Sequence, residues 1–476
     1  MNAAALVLIG ALLPQPAAAA APAGGATTFF VRNMTRVETW GYFQPRPGGG
    51  DPNYAFVANR LLFGARYTTS RWEFLGAGQY VQFGNLPTRA FGPGPLGTGG
   101  AYFDASGDTA SHQVYLKYLA AKLKGIAAGL DLQGGRFAYA SGAEAPSGVP
   151  KIEAVKRQRV DSRLIGEFEW SLYQRSFDGA RADWRRGPYQ LTGAWLRPTQ
   201  GGFEEDANVH MARVNVEAAA LSVRPGTWLP RTDAQVFLYR YDDTRKVRAR
   251  PDNTGKSAAA VDVGITTIGA SLVSAFPRAS GEFDTLLWSA AQFGDWYGDD
   301  HGAWAVAGEA GYQWGGAPWK PWVRGGINVS SGDDDPADAS HGTFFQMLPT
   351  ARKYAFSAVY TQMNLRDLFV QVLLRPTPPL NVRVDLHRLD LTSAADRWYF
   401  GSGAMQKSGT SFGFGTRTSG GARALGTMLE GSAEYAVNRH WSVGGYAGWM
   451  AGGGVVEALF AHDRLTFAYV ESLIQF

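Results

Sequence analysis

The stretch LNVRVDLHRL (380–389) alternates strictly: Val382, Val384 and Leu386 fall on one face of an extended chain, and Arg383, Asp385 and His387 on the other. RLLFGARYT (60–68) sets Leu61, Phe63, Ala65 and Tyr67 against Arg60, Gly64 and Arg66. QVYLKYLA (113–120) sets Val114, Leu116, Tyr118 and Ala120 against Gln113, Tyr115 and Lys117. Period two with one apolar and one charged face specifies a half-buried strand. The pattern recurs in short runs along the chain, and no amphipathic segment of helical length stands out. No internal apolar stretch reaches the roughly 18 residues that a membrane helix needs.

Two kinds of connection separate the runs. NLRD (364–367), VNRH (437–440) and PRASGE (277–282) read as tight polar turns. The segments 84–112, 139–162, 328–352 and 392–424 are long and rich in Gly, Pro, Asp or Ser. Short turns on one side and long loops on the other suit an outer-membrane barrel better than a soluble sandwich. The charged fraction of 18% is below the roughly 25% of soluble domains. Aromatic residues are plentiful, with 15 Trp, 20 Tyr and 27 Phe available for two interfacial girdles. The absence of Cys excludes disulfides, thiolate metal sites and Cys nucleophiles, and a net charge of +4 is too small to argue for nucleic acid.

The ends fit the same reading. Residues 1–22 read as an export segment, with an apolar core from Ala3 to Leu13 followed by small residues from Ala17 to Ala21, although no Lys or Arg precedes the core. Residues 23–476 read as a single barrel domain. A sheet that spans a bilayer must close, because every backbone donor and acceptor needs a partner. FAYVESLIQF then reads as the closing strand, with Ala468, Val470, Ile474 and Phe476 on its lipid face. The expected fold is therefore all-β: a transmembrane antiparallel barrel of about 18 strands, with short periplasmic turns and long extracellular loops, in the bacterial outer membrane.

A barrel of that size encloses a lumen, whose inward charges set selectivity. The densest charged run is 151–186, where basic residues outnumber acidic ones. On strand spacing Arg157, Arg159, Asp161 and Arg163 share a face, and Arg175 and Arg181 join it if register is kept. An Arg or Lys facing lipid costs about 2–4 kcal/mol at the midplane, so these charges belong in the lumen or in a wet loop. Interleaved Arg and carboxylates suit an anion pathway, and equally an ordinary salt-bridged porin wall.

The run RLIGEFEWSLYQRSFDGARADW (163–184), preceded by Gly135-Arg136, resembles the signature of the alginate export family of outer-membrane barrels. SGDDDPADASHGTFFQMLPTARKYA (331–355) and VNRHWSVGGYAGWMAGGG (437–454) are weaker similarities to the same family. The resemblance implies an 18-stranded barrel that conducts an anionic polyuronate through an arginine-rich constriction. It implies Arg136, Arg163, Arg175 and Arg181 as lumen contacts, with Asp161, Asp178 and Asp183 as their organisers. It also implies a monomer. A terminal Phe476 resembles the signal read by the outer-membrane assembly machinery, and a periplasmic polymer-export scaffold is a plausible partner. The alternative is a general or small-anion porin for nutrient uptake.

Other constellations are weaker. Asp333, Asp334, Asp335 and Asp338 cluster as a calcium candidate, but their spacing is not that of an EF-hand and a solvated loop is favoured. His301 beside Asp299 and Asp300 is read as solvated. Ser111-His112 and Ser340-His341 are adjacent pairs whose side chains diverge on a strand, so no catalytic dyad is expected. No nucleotide-binding loop or HExxH motif occurs, and no enzyme activity, cofactor or nucleic-acid partner is expected.

Overall fold

A computed structural model describes residues 25–47, 49–92, 99–350 and 359–476. The export segment read over 1–22, and Ala351, Arg352, Lys353, Tyr354 and Ala355 of the second family-like patch, lie outside the described residues.

The strands form an 18-strand closed antiparallel β-barrel. In chain order they are β1 (Ala26–Gly41), β2 (Asn53–Thr68), β3 (Trp72–Gly84), β4 (His112–Ala127), β5 (Leu130–Phe137), β6 (Phe177–Arg186), β7 (Tyr189–Pro198), β8 (Val214–Val223) and β9 (Thr232–Asp243). They continue as β10 (Val263–Arg278), β11 (Gly281–Trp296), β12 (Asp299–Trp314), β13 (Trp322–Ser330), β14 (Leu365–Thr377), β15 (Leu380–Leu391), β16 (Ala424–Ala436), β17 (Trp441–Gly452) and β18 (Arg464–Gln475). Each pairs with its sequence neighbour, and β18 closes on β1 with Thr35 opposite Ser472. Phe476 extends that seam: its N–H donates to the Val31 carbonyl at 2.9 Å and its carbonyl accepts from the Val31 N–H at 3.2 Å. Its ring faces outward, 70% exposed and stacked on His440.

Alternation fixes which face meets lipid. On β15 Val384 and Leu386 are exposed, while Arg383, Asp385 and His387 are buried inward. On β2 Phe63 and Tyr67 face outward, as expected. On β4 the expectation fails part-way. Tyr118 and Ala120 are buried and Leu119 is 60% exposed. Tyr118 pairs with Ala77 and Leu116 with Gly78, so Lys117 is an extra residue in the ladder. That bulge reverses the phase of everything after it.

Turns and loops segregate as expected except at 364–367 and between β11 and β12, where the long-loop side carries a tight hairpin. Residues 364–367 are not a tight turn; Leu365 opens β14 after a long connection. The hairpin between β11 and β12 turns in two residues, Tyr297 (φ +54°) and Gly298 (φ +83°), the left-handed pair that matches strand twist.

The wall has one low side. β1, β2 and β10–β12 each run for 16 residues, whereas β5 has 8 and β6–β8 have 10. β5 is short because the chain leaves the wall at Phe137 and enters the barrel, returning at Phe177. Three short helices accompany the barrel: α1 (Gly99–Ser106), α2 (Pro150–Arg159) within that inserted segment, and α3 (Gly454–Leu459).

Candidate functional site

The inserted segment, 138–176, is buried along most of its length. The sequence-based reading of 151–163 as strand is overturned here, because α2 is a helix. Pro150 starts it, Glu153 sits in its first turn, and Lys156, Arg157 and Arg159 occupy its last turn, where cations complement the helix dipole. At helical spacing Arg157 and Arg159 point to opposite sides rather than sharing a face. Arg157 is half-buried and Arg159 fully buried.

α2 packs its cations against carboxylates of the wall. Arg159 Nε lies 2.9 and 3.0 Å from the two oxygens of Glu309 on β12, with its guanidinium over Phe369. Arg324 of β13 donates to Glu309 at 3.0 Å and also to Asp284 of β11. Lys151 stands 3.5 Å from Asp284 and over the Trp322 ring, and burial pulls its ammonium down to about 8. Lys156 donates to Asp233 of β9 at 3.0 Å. Past the helix, Arg163 reaches Asn328 at 2.5 Å and Gln362 at 3.1 Å, with its guanidinium over Trp288. Asp161 accepts from Ser162 at 2.6 Å.

The opposite wall holds the same segment further along. Arg36 of β1 donates to Glu471 of β18 at 2.7 Å and to the Trp170 carbonyl at 3.2 Å, stacking on the Trp170 ring. Arg60 of β2 donates to the carbonyls of Glu169 and Ser171, both at 3.2 Å. Lys117, the bulge residue, bonds the Arg175 carbonyl at 2.6 Å and pairs with Glu167 at 3.1 Å. Anchored on β12 by Arg159, on β13 by Arg163 and on β1, β2 and β4 by these cations, the segment crosses the lumen and constricts it.

The arginines expected from sequence therefore divide. Arg159, Arg163 and Arg175 lie in the inserted segment, and Arg181 and Asp183 point inward from β6, 2.9 Å apart. Arg175 donates to the Ser402 carbonyl, and burial, offset by Tyr241 and reinforced by Arg245, lowers it to about 9, so it stays charged at neutral pH. Arg136 and Asp178 are not lumen residues. Arg136 is opposite the exposed Leu119, and Asp178 shares its face with the exposed Trp184, so both face outward. There Arg136 binds Asp178 through both oxygens (2.7 and 2.8 Å), the Leu116 carbonyl at 3.2 Å and the Asn208 carbonyl at 2.7 Å. It clasps the edge of β4 where β5 has departed. Arg136→Ala is expected to lower the temperature of the heat-modifiability transition and to leave single-channel conductance unchanged.

The acidic loop does not gather its carboxylates. Asp335 and Asp338 accept from the backbone N–H groups of Ala337 and Ser340 in local turns, and Asp334 is exposed. Asp333 turns inward, where burial lifts its carboxyl to about 6. His301 is buried rather than solvated, its Nδ1 2.9 Å from that of His341. Sequence reasoning missed Arg36, Glu309, Arg324 and Asp284; inward parity on β1 and β11–β13 was the available signal, but a partner across the lumen leaves no trace in local spacing.

Residues 108–458 match the alginate export family. The chain belongs to that family. The matched span contains the whole inserted segment and its β12–β13 anchors. No curated protein matches the sequence. Among solved structures, OccK9 (OpdG) of Pseudomonas aeruginosa is similar in fold, with TM-score 0.59 at 13% identity over 95% of this chain and 98% of that one. A BenF-like porin from Pseudomonas fluorescens Pf-5 gives TM-score 0.60 at 11% identity over 95% and 98%. OccK2 (OpdF) of Pseudomonas aeruginosa in complex with glucuronate gives 0.57 at 11% over 94% and 98%. At these identities the likeness is one of fold. Family and fold together make this alginate export family member an outer-membrane β-barrel channel.

Proposed function

We propose that the channel passes uronate-bearing anionic carbohydrate, with a polyuronate as its substrate class. The observation that carries this reading is a positive excess at the constriction. Among the described residues no carboxylate stands within salt-bridge distance of Arg60 or Arg175; their hydrogen bonds go to carbonyl oxygens. Arg60 is half-buried, with Arg32 of β1 beside it. Guanidinium groups bind carboxylates in a planar, two-pronged fashion, and several weak sites in series let each sugar move on. The family match supports the polymer, and the OccK2 structure with glucuronate supports a uronate in a related fold. Transport of this kind is passive and non-enzymatic.

A second reading, a porin for small organic anions, is favoured by the clamped insert, which narrows the bore. Reversal potentials across a salt gradient and swelling of proteoliposomes in glucuronate against glucose test the charge preference. Anion-selective current with faster swelling in glucuronate is expected; equal rates for both solutes would refute it.

A further inference from the structure

The inward face of β15 places Asp385 and His387 two residues apart, and Glu430 of β16 lies directly opposite Asp385. All three are buried, and each offers a ligand atom within 4.8 Å of the others. Two carboxylates facing each other across a ladder repel unless a proton or a cation lies between them. The imidazole is already oriented. His387 Nδ1 is held by Asp367 of β14 at 2.9 Å, and the ring stacks on Phe369. Nε2 has no hydrogen-bond partner and stands 4.0 Å from Glu430 Oε1. Asp385 receives Arg383 on one oxygen, while Oδ1 has no hydrogen-bond partner. Glu430 is steadied by the Tyr446 hydroxyl at 2.9 Å. Beside them the Gln371 amide, opposite Asp385 on the other side, has neither oxygen nor nitrogen bonded.

We infer that Asp385, His387 and Glu430 form a binding site for a divalent cation of the zinc class in the lumen wall. A carboxylate on one imidazole nitrogen with the other nitrogen facing acidic oxygens is the arrangement that presents a histidine to a metal. One nitrogen and two carboxylate oxygens, with a fourth position open to water or to the Gln371 oxygen, suit tetrahedral coordination. Ligand atoms in such a site stand about 3.4 Å apart, a closure within reach of side-chain rotation by Glu430. Asp367, Asp385 and Glu430 bring three carboxylates to this part of the wall, and Arg383 brings one guanidinium. Arg159 approaches from the far side of Phe369 but is committed to Glu309. The ion would tie β15 to β16, with β14 bracing the histidine, on the wall that faces the inserted segment.

The test uses the refolded full-length barrel, stripped with EDTA and dialysed against zinc chloride at pH 7.5. Wild type is expected to retain one zinc per chain, and X-ray absorption is expected to show one imidazole among oxygen ligands. His387→Gln and Glu430→Gln should each weaken retention at least about a hundredfold, and Asp367→Asn about ten- to a hundredfold. Heat-modifiability confirms folding of each variant. Wild type without stoichiometric zinc would overturn the site, leaving His387 as an imidazolium between carboxylates. Equal zinc retention by wild type and a folded His387→Gln or Glu430→Gln variant would overturn it too, as adventitious binding by other residues.

Discussion

Glu309→Ala is expected to release the inserted segment from the barrel wall and to raise open-channel conductance about twofold or more, with added current noise. Glu309 is fully buried and accepts from Arg159 at 2.9 and 3.0 Å and from Arg324 at 3.0 Å. Its removal takes from Arg159 the carboxylate that its Nε meets and leaves Arg324 with Asp284, which Lys151 also approaches. Breaking a buried ion pair from one side costs about 3–5 kcal/mol. The barrel ladder does not depend on that side chain, so the cost falls on the segment whose position the pair fixes. Glu309→Gln should give a smaller change of the same sign. Planar-bilayer recordings on protein that passes the heat-modifiability test decide the matter; wild-type conductance and noise would show that Arg159 is not an anchor of the constriction.

The second large effect concerns charge. The double replacement Arg60→Ala with Arg175→Ala should cut the anion-to-cation permeability ratio by at least about fivefold per charge that faces the pathway. A unit charge about 8 Å from a passing carboxylate, at an effective dielectric of about 40, is worth about 1 kcal/mol, or roughly fivefold in occupancy. Arg181→Ala should do much less, because Asp183 at 2.9 Å already neutralises most of its far field. Reversal potentials on the two variants separate these cases, and an Arg181 effect as large as the double would mean that the pairing is broken in the working channel.

The barrel was legible because strand alternation is a local signal. Arg383, Asp385 and His387 must share a face wherever β15 sits, and the outward row ending at Phe476 follows from the same rule. The lumen was less legible. Residues 151–163 mix charges at intervals that fit a strand as well as a helix, and burial of α2 by the surrounding wall decides between them. The resemblance implies Arg136 as a lumen contact, but its face is set by the β4–β5 register and by the departure of β5 from the wall. The Lys117 bulge is invisible to periodicity, yet it is what aims an ammonium at Glu167. Asp385 and His387 stood together in the sequence, whereas Glu430 joins them only through strand pairing.

The most direct test of the central claim is single-channel recording of the refolded barrel during titration with polymannuronate oligomers, followed by neutral dextrans of similar size. Anion-selective current blocked by the polyuronate at low concentration and indifferent to dextran is the predicted result. Current that ignores the polyuronate, or that both polymers block alike, would contradict a uronate pathway through the Arg60–Arg175 constriction.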